Sequence, residues 1–157
     1  MGESTLLVEQ IGRVLTVTLH RPEKRNALDL ALRGKLAAAL GAVPDGIGAV
    51  VLTGTDPAFC AGVDVGELRE IGREAARRDP PTDAIAACPV PVVAAVNGPC
   101  WTGGLELALA CDFLIASERA SFGDSHAQLG LMAGWGGSAR LALAVGERRA
   151  AQLMLTG

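Results

Sequence analysis

Hydrophobic and polar residues alternate over residues 13–20, with Val14, Thr16 and Thr18 on one side and Leu15, Val17 and Leu19 on the other, the period-two pattern of a strand. Arg21-Pro22 marks a turn. Leu28, Leu32, Leu36 and Leu40 then recur at four-residue spacing, which predicts an amphipathic helix that Asn26 or Asp29 can cap and that Pro44 and Gly46 stop. Short apolar runs at 49–53 and 91–96 predict strands covered on both faces, the second ending in the turn Asn97-Gly98. Residues 67–78 have helix-forming composition. Arg69, Arg73 and Arg77 fall on one side of that helix, where they either meet phosphates or form a solvated face. Asp79-Pro80-Pro81 breaks the chain, helix resumes near Gly103, and residues 113–116 predict another strand. Residues 138–155 return to an alanine-rich helical pattern. Strands and helices alternate with no linker, low-complexity tract or sequence repeat, so the expectation is a single α/β domain over residues 1–157.

Composition narrows this picture. Half of the residues are hydrophobic, yet there are three Phe, two Trp and no Tyr, so the core must be Ala, Val, Leu and Ile packed around many glycines. A net charge of −3, with no stretch that interleaves basic and aromatic residues, argues against nucleic acid as a partner. No basic segment leads into an apolar one at the N-terminus, and no apolar run approaches the roughly 18 residues of a membrane span, so a cytoplasmic protein without membrane contact is expected. Cys60, Cys88, Cys100 and Cys111 lack the paired spacing of a zinc site and are expected to be reduced core thiols, with no metal bound.

Two glycine-bearing turns each follow an apolar strand and precede a helix: Phe59 to Leu68 (FCAGVDVGEL) and Val96 to Asp112 (VNGPCWTGGLELALACD). Where a helix begins, the first N–H groups have no intrahelical partner and lie at the positive end of the dipole, so two of them aimed at one point can hold developing negative charge. Glycines that merely permit tight turns would leave the same trace.

The wider pattern adds to this reading. RPEKRNAL (Arg21 to Leu28), AFCAGVDVGEL, PVVAAVNGPCWTGGLELALACDFLIAS, FGDSHAQLGL and GWGGSARL occur in an order and spacing that resembles the crotonase (enoyl-CoA hydratase/isomerase) superfamily, from about Val14 to Gly157. The resemblance implies a crotonase-like α/β spiral of repeated ββα units with its C-terminal helical part missing from this chain. It implies an enzyme acting on an acyl-CoA thioester, with coenzyme A as part of the substrate and no separate cofactor. It further implies a homotrimer or dimer of trimers, and a chain ending at Gly157 would then assemble poorly.

By the same resemblance, the backbone N–H groups of Val63 and Gly103 would hold the thioester oxygen and stabilise an enolate. Arg25 and Ala27, with Lys24 beside them, match the positions that meet the adenine and phosphate end of coenzyme A, although charged turn residues are often simply solvated. Ala61, Gly62, Asp64 and Val65 complete the first oxyanion turn. Ser125 and Gly134 fall among the positions expected to border substrate. Asp64 either fixes that loop or caps a helix.

Glu106 stands among Leu105, Leu107 and Leu109 in the first turn of a predicted helix. Burial would raise its pKa toward the range useful for acid–base work, while the helix N-terminus pulls the other way. It coincides with the first catalytic glutamate of the hydratases, though it also suits a capping carboxylate. Hydratases carry a second glutamate twenty positions later, within a segment like FGQPE; here that stretch is FGDSH and the position is His126. A histidine titrating near ~6.5 can exchange protons itself, or can be a satisfied polar core residue. Proton abstraction or isomerisation is therefore expected over two-carboxylate hydration. The competing expectation is an acyl-CoA-binding homologue with weak or no catalysis. A hydrolase is disfavoured, because no G-x-S-x-G nucleophile turn is present.

Overall fold

The computed structural model describes residues 4–77 and 79–157, and in it the alternating segment is one arm of a hairpin. Strands β1 (Leu6–Ile11) and β2 (Val14–Leu19) pair antiparallel, with Leu6 opposite Leu19 and Ile11 opposite Val14. Leu15, Val17 and Leu19 face the core. Three parallel strands follow: β3 (Ala49–Gly54) beside β2, β4 (Val92–Val96) beside β3, and, beside β4, a strand over Phe113–Ala116. A second, short ladder pairs β5 (Pro99–Trp101) in parallel with a strand over Ser121–Gly123; the two later strands are β6 and β7. Single bridges between Cys60 and Cys100 and between Leu28 and Val63 extend that ladder.

The helices complete a repeating path. They are α1 (Leu30–Gly41), α2 (Val65–Arg77), α3 (Pro81–Ala86), α4 (Gly103–Ala110), α5 (Gly137–Val145) and α6 (Glu147–Thr156). Four of the five main-sheet strands run to a position on the short ladder and then into a helix: β2 to Leu28 to α1, β3 to Cys60 and Val63 to α2, β4 to β5 to α4, and β6 to β7 to α5. This is the expected spiral of ββα units. Its consequence is positional, because the residues just beyond the short ladder gather on one side of the molecule.

Leu28, Leu32, Leu36 and Leu40 are fully buried, as their spacing requires. Asp29 is the cap of α1, its carboxylate accepting the Leu32 N–H at 2.7 Å. Asn26, the alternative cap, is elsewhere engaged, as described below. Truncating Leu36 to alanine should cost about 2–5 kcal/mol, read as a lower urea midpoint at unchanged slope.

The sequence reading departs from the structure in several places. β1 went unseen because Leu6 alone along it is buried. β5 and β7 are three residues each and are fixed by partners distant in sequence. The single helix expected over 138–155 is two helices, separated at Gly146 with φ 81°. α2 loses helical geometry at Gly72, where φ is 79°. Arg69 is exposed, and the side chains of Arg73 and Arg77 lie outside the described residues. Cys60, Cys100 and Cys111 are buried free thiols and Cys88 is half-buried. Burial pushes Cys60 and Cys111 up to about 12, so they remain protonated. No helix among the described residues is long and apolar enough to cross a membrane.

Candidate active site

Two turns separated in sequence are stitched together by backbone hydrogen bonds. Ala61 N–H donates to the Arg25 carbonyl at 3.0 Å, Leu28 N–H to Gly62 at 2.7 Å, and Asp64 N–H to Leu28 at 3.0 Å. Lys24, Arg25 and Ala27 therefore lie beside the turn that contains Val63. Lys24 and Arg25 are exposed and Ala27 is buried. Asn26 anchors the arrangement: it is fully buried, accepts the Arg21 N–H at 2.9 Å, and donates to the carbonyls of Thr55 at 2.8 Å and Ala58 at 2.7 Å. Asn26 and Arg25 both adopt left-handed φ, 57° and 50°. Asparagine tolerates that conformation better than most residues, and its side chain can close the bonds the turn needs.

Asp64 serves both roles open to it. Its Oδ1 accepts the Gly66 N–H at 2.9 Å at the start of α2, and its Oδ2 pairs with the Arg21 guanidinium at 3.0 Å. Burial alone would raise its pKa, but Arg21 and these N–H groups hold the carboxyl below its ordinary value. Val65, in the first turn of α2, is exposed.

The second turn is strained where it enters α4. Thr102 has φ 49°, uncommon for a β-branched residue, and is held there by its N–H donating to Gly123 at 2.9 Å and its hydroxyl donating to Ala61 at 3.1 Å. Gly62 has φ 101°, and a Cβ there would overlap the Thr102 hydroxyl, so the two turns close on each other only with glycine at 62. A Cβ on Gly103 would stand 3.4 Å from Val63 N and 2.9 Å from the Trp135 ring. The N–H groups of Val63 and Gly103 thus lie side by side, and among the described residues no acceptor meets either one.

Glu106, one turn along α4, is 3% exposed. It does not cap its own helix. Its Oε1 accepts the N–H groups of Trp135 at 2.7 Å and Gly137 at 2.9 Å, while Oε2 faces His126 Nε2 at 3.6 Å. A Cβ on Gly137 would lie 2.7 Å from Glu106 Cγ, so the approach of α5 to this carboxylate depends on glycine. The Trp135 carbonyl is fixed in turn by Thr82 of α3 at 3.1 Å and Arg140 at 2.6 Å. Burial raises the Glu106 pKa, and the two N–H groups and His126 offset only part of that rise. Gly134 is exposed one residue before this contact, so the N–H groups that hold the carboxylate come from its neighbours.

His126 is half-buried, with its ring between two carboxylates. Asp124, 5% exposed, accepts the His126 backbone N–H at 3.0 Å and meets Nδ1 at 2.5 Å. Ser125, half-buried, joins them. Burial alone would lower the histidine pKa, but Asp124 first and then Glu106 raise it above the ordinary value. Asp124 itself is held low by the ring and N–H of His126, against its burial. The sequence reading overlooked Asp124, although a carboxylate two residues before a candidate histidine was visible in FGDSH.

A cavity of about 330 Å³ opens beside Asp124 and His126, walled by Leu131, Met132, Met154 and Leu155. A larger one, about 390 Å³, lies at the far end of α4 against Arg140 and Leu143, away from Glu106 and His126. Among the described residues, no group of three or more His, Cys, Asp and Glu side chains is placed to hold a metal.

Known proteins resemble this chain along nearly its whole length. The chain is 44% identical to a Rhizobium meliloti protein named probable enoyl-CoA hydratase, over all of this chain and 63% of that protein. It is 40% identical to the 2,3-dehydroadipyl-CoA hydratase of Escherichia coli K12, over 98% of this chain and 62% of that one. The solved enoyl-CoA hydratase of Mycobacterium tuberculosis H37Rv superposes with a TM-score of 0.87 at 48% identity, covering 98% of this chain and 66% of that one. The chain thus spans under two thirds of the length of these relatives. The family model described as enoyl-CoA hydratase/isomerase matches residues 9–157. This chain belongs to the enoyl-CoA hydratase/isomerase family.

Proposed function

We propose that the protein processes an acyl-CoA thioester through an enolate held by the N–H groups of Val63 and Gly103, with Glu106 and His126 moving the protons. The observation that carries this reading is the juxtaposition of two acceptor-free N–H groups with a buried carboxylate of raised pKa, one helical turn away. Donors fixed before reaction cost no reorganisation as charge develops, and Thr102 strain is the local expense of that placement. Lys24, Arg25 and Ala27 border the Val63 turn and would meet the nucleotide end of coenzyme A. The apolar cavity beside His126 would take the acyl chain. The names of the relatives point to a 2-enoyl thioester as substrate. By the family resemblance, the whole protein is expected to be a cytoplasmic homotrimer or dimer of trimers, and the exposed Ile115 and Leu143 give apolar surface for association.

The test is enoyl absorbance with crotonyl-CoA and the whole protein. Turnover is expected, and His126→Gln should slow it and remove a pH limb, while His126→Glu restores hydration. A folded protein that binds crotonyl-CoA in calorimetry without consuming it would be an acyl-CoA-binding homologue. Release of free thiol would identify a hydrolase.

A further inference from the structure

An ionised carboxylate has no hydrogen to give, so the contact between Asp124 Oδ1 and His126 Nδ1 places a proton on Nδ1. The same oxygen takes the His126 backbone N–H, which fixes the ring relative to the end of β7. Nε2 is then the ring atom that faces Glu106 Oε2. Glu106 is constrained in a matching way: Oε1 is committed to two N–H donors, so Oε2 is the oxygen free to take or give a proton. Asp124, from the end of β7, and Glu106, from α4, are the ionisable side chains whose charge acts on His126 among the described residues.

Resting on the enoyl-thioester reading, the geometry points to Asp124 as a positioning residue that makes His126 Nε2–H the proton donor to the substrate α-carbon and leaves Glu106 Oε2 as the base. Water then adds through oxygen to the β-carbon of the enoyl thioester, and its proton passes to Glu106 Oε2. The π electrons move onto the thioester oxygen as an enolate, held by the Val63 and Gly103 N–H groups. The enolate collapses as its α-carbon takes the proton of His126 Nε2, giving the 3-hydroxyacyl thioester. Glu106 is left protonated and His126 neutral. Transfer of that proton from Oε2 to Nε2 restores the site with no outside reagent. Two carboxylates performing this reaction must divide acid and base roles between like groups, whereas here Asp124 divides them in advance. On this proposal the Asp124-held histidine suits hydration as well as isomerisation.

The two histidines, His20 and His126, make the test direct. In a nitrogen-detected NMR titration of the whole protein, with His126→Gln to assign the signal, His126 should carry its proton on Nδ1 and titrate above the ordinary histidine range. Asp124→Asn keeps shape and a hydrogen-bond acceptor but removes the charge. It should lower the His126 midpoint by about one unit or more and move the alkaline limb of kcat/KM down with it. It should also reduce kcat at least about tenfold with KM within about threefold. An unshifted limb and unchanged kcat in folded Asp124→Asn would overturn the proposal. If that variant fails to fold, the parental titration decides: a midpoint at or below ~6.5, or a proton on Nε2 alone, overturns it equally. An Asp124-dependent raised midpoint in a parental protein that consumes no enoyl-CoA would instead overturn the substrate reading and leave the pairing intact.

Discussion

Glu106→Gln should lower kcat on crotonyl-CoA by about 10²–10⁴-fold while changing thioester affinity by no more than about threefold. Glutamine keeps the oxygen that accepts from Trp135 and Gly137, so the tie between α4 and α5 survives. What it loses is the atom facing His126, since an amide nitrogen there cannot take the proton of water. Calorimetry with a saturated acyl-CoA separates binding from turnover. Equal losses in both would make Glu106 a structural residue. The pH profile supplies a second check. Burial raises the Glu106 pKa, so a rate that needs its carboxylate falls on the acid side at a pH above the usual glutamate value of ~4.3. That limb should be absent from whatever activity the glutamine variant retains.

Asn26→Leu should cost about 3–5 kcal/mol and weaken thioester binding in the protein that remains folded. The substitution leaves the Arg21 N–H and the Thr55 carbonyl without their buried partner, and each such group costs about 1–3 kcal/mol. The Ala58 carbonyl suffers less, because Asn97 also donates to it at 3.4 Å. Leucine must in addition adopt φ near 57°, which asparagine accepts more readily. Asn26→Gly isolates the conformational part by relieving that strain while still losing the bonds. Urea unfolding should rank glycine between the parent and leucine. Leucine unfolding at the parental midpoint would refute the role of these bonds.

Sequence periodicity made α1 and the main sheet apart from β1 legible because burial there repeats at a local period: β2 alternates, β3 and β4 are apolar runs, and the leucines of α1 fall on one face. The short ladder was not legible, since the pairings of Trp101 with Gly123 and of Leu28 with Val63 join residues with no local pattern in common. The site followed the same division. Glu106 was visible as a carboxylate among leucines, and its raised pKa follows from burial as expected. The alternative role of capping its own helix is not taken, because the N–H groups it binds are those of Trp135 and of Gly137 at the start of α5, about thirty residues away. Asn26 suited a local cap, yet its bonds reach the Thr55 to Ala58 loop. α3, hidden behind Pro80-Pro81, supplies the Thr82 hydroxyl that steadies Trp135.

The short β5–β7 ladder also governs where the chain can change length. Trp101 lies opposite Gly123, and Thr102 N–H is tied to the Gly123 carbonyl, so the Gly103 N–H and the Asp124–His126 pair are spaced by one register. A residue inserted between Ser121 and Asp124 would shift that register and turn the His126 ring to the opposite face. Between the ladders, Ser117 N–H still pairs with the Val96 carbonyl at 2.9 Å, whereas Glu118 and Arg119 are exposed and the Arg119 side chain is held by a surface ion pair with Asp56. Loop variation among natural homologues, and tags or sensors introduced by design, should therefore be accepted at 118–119 and refused three residues later.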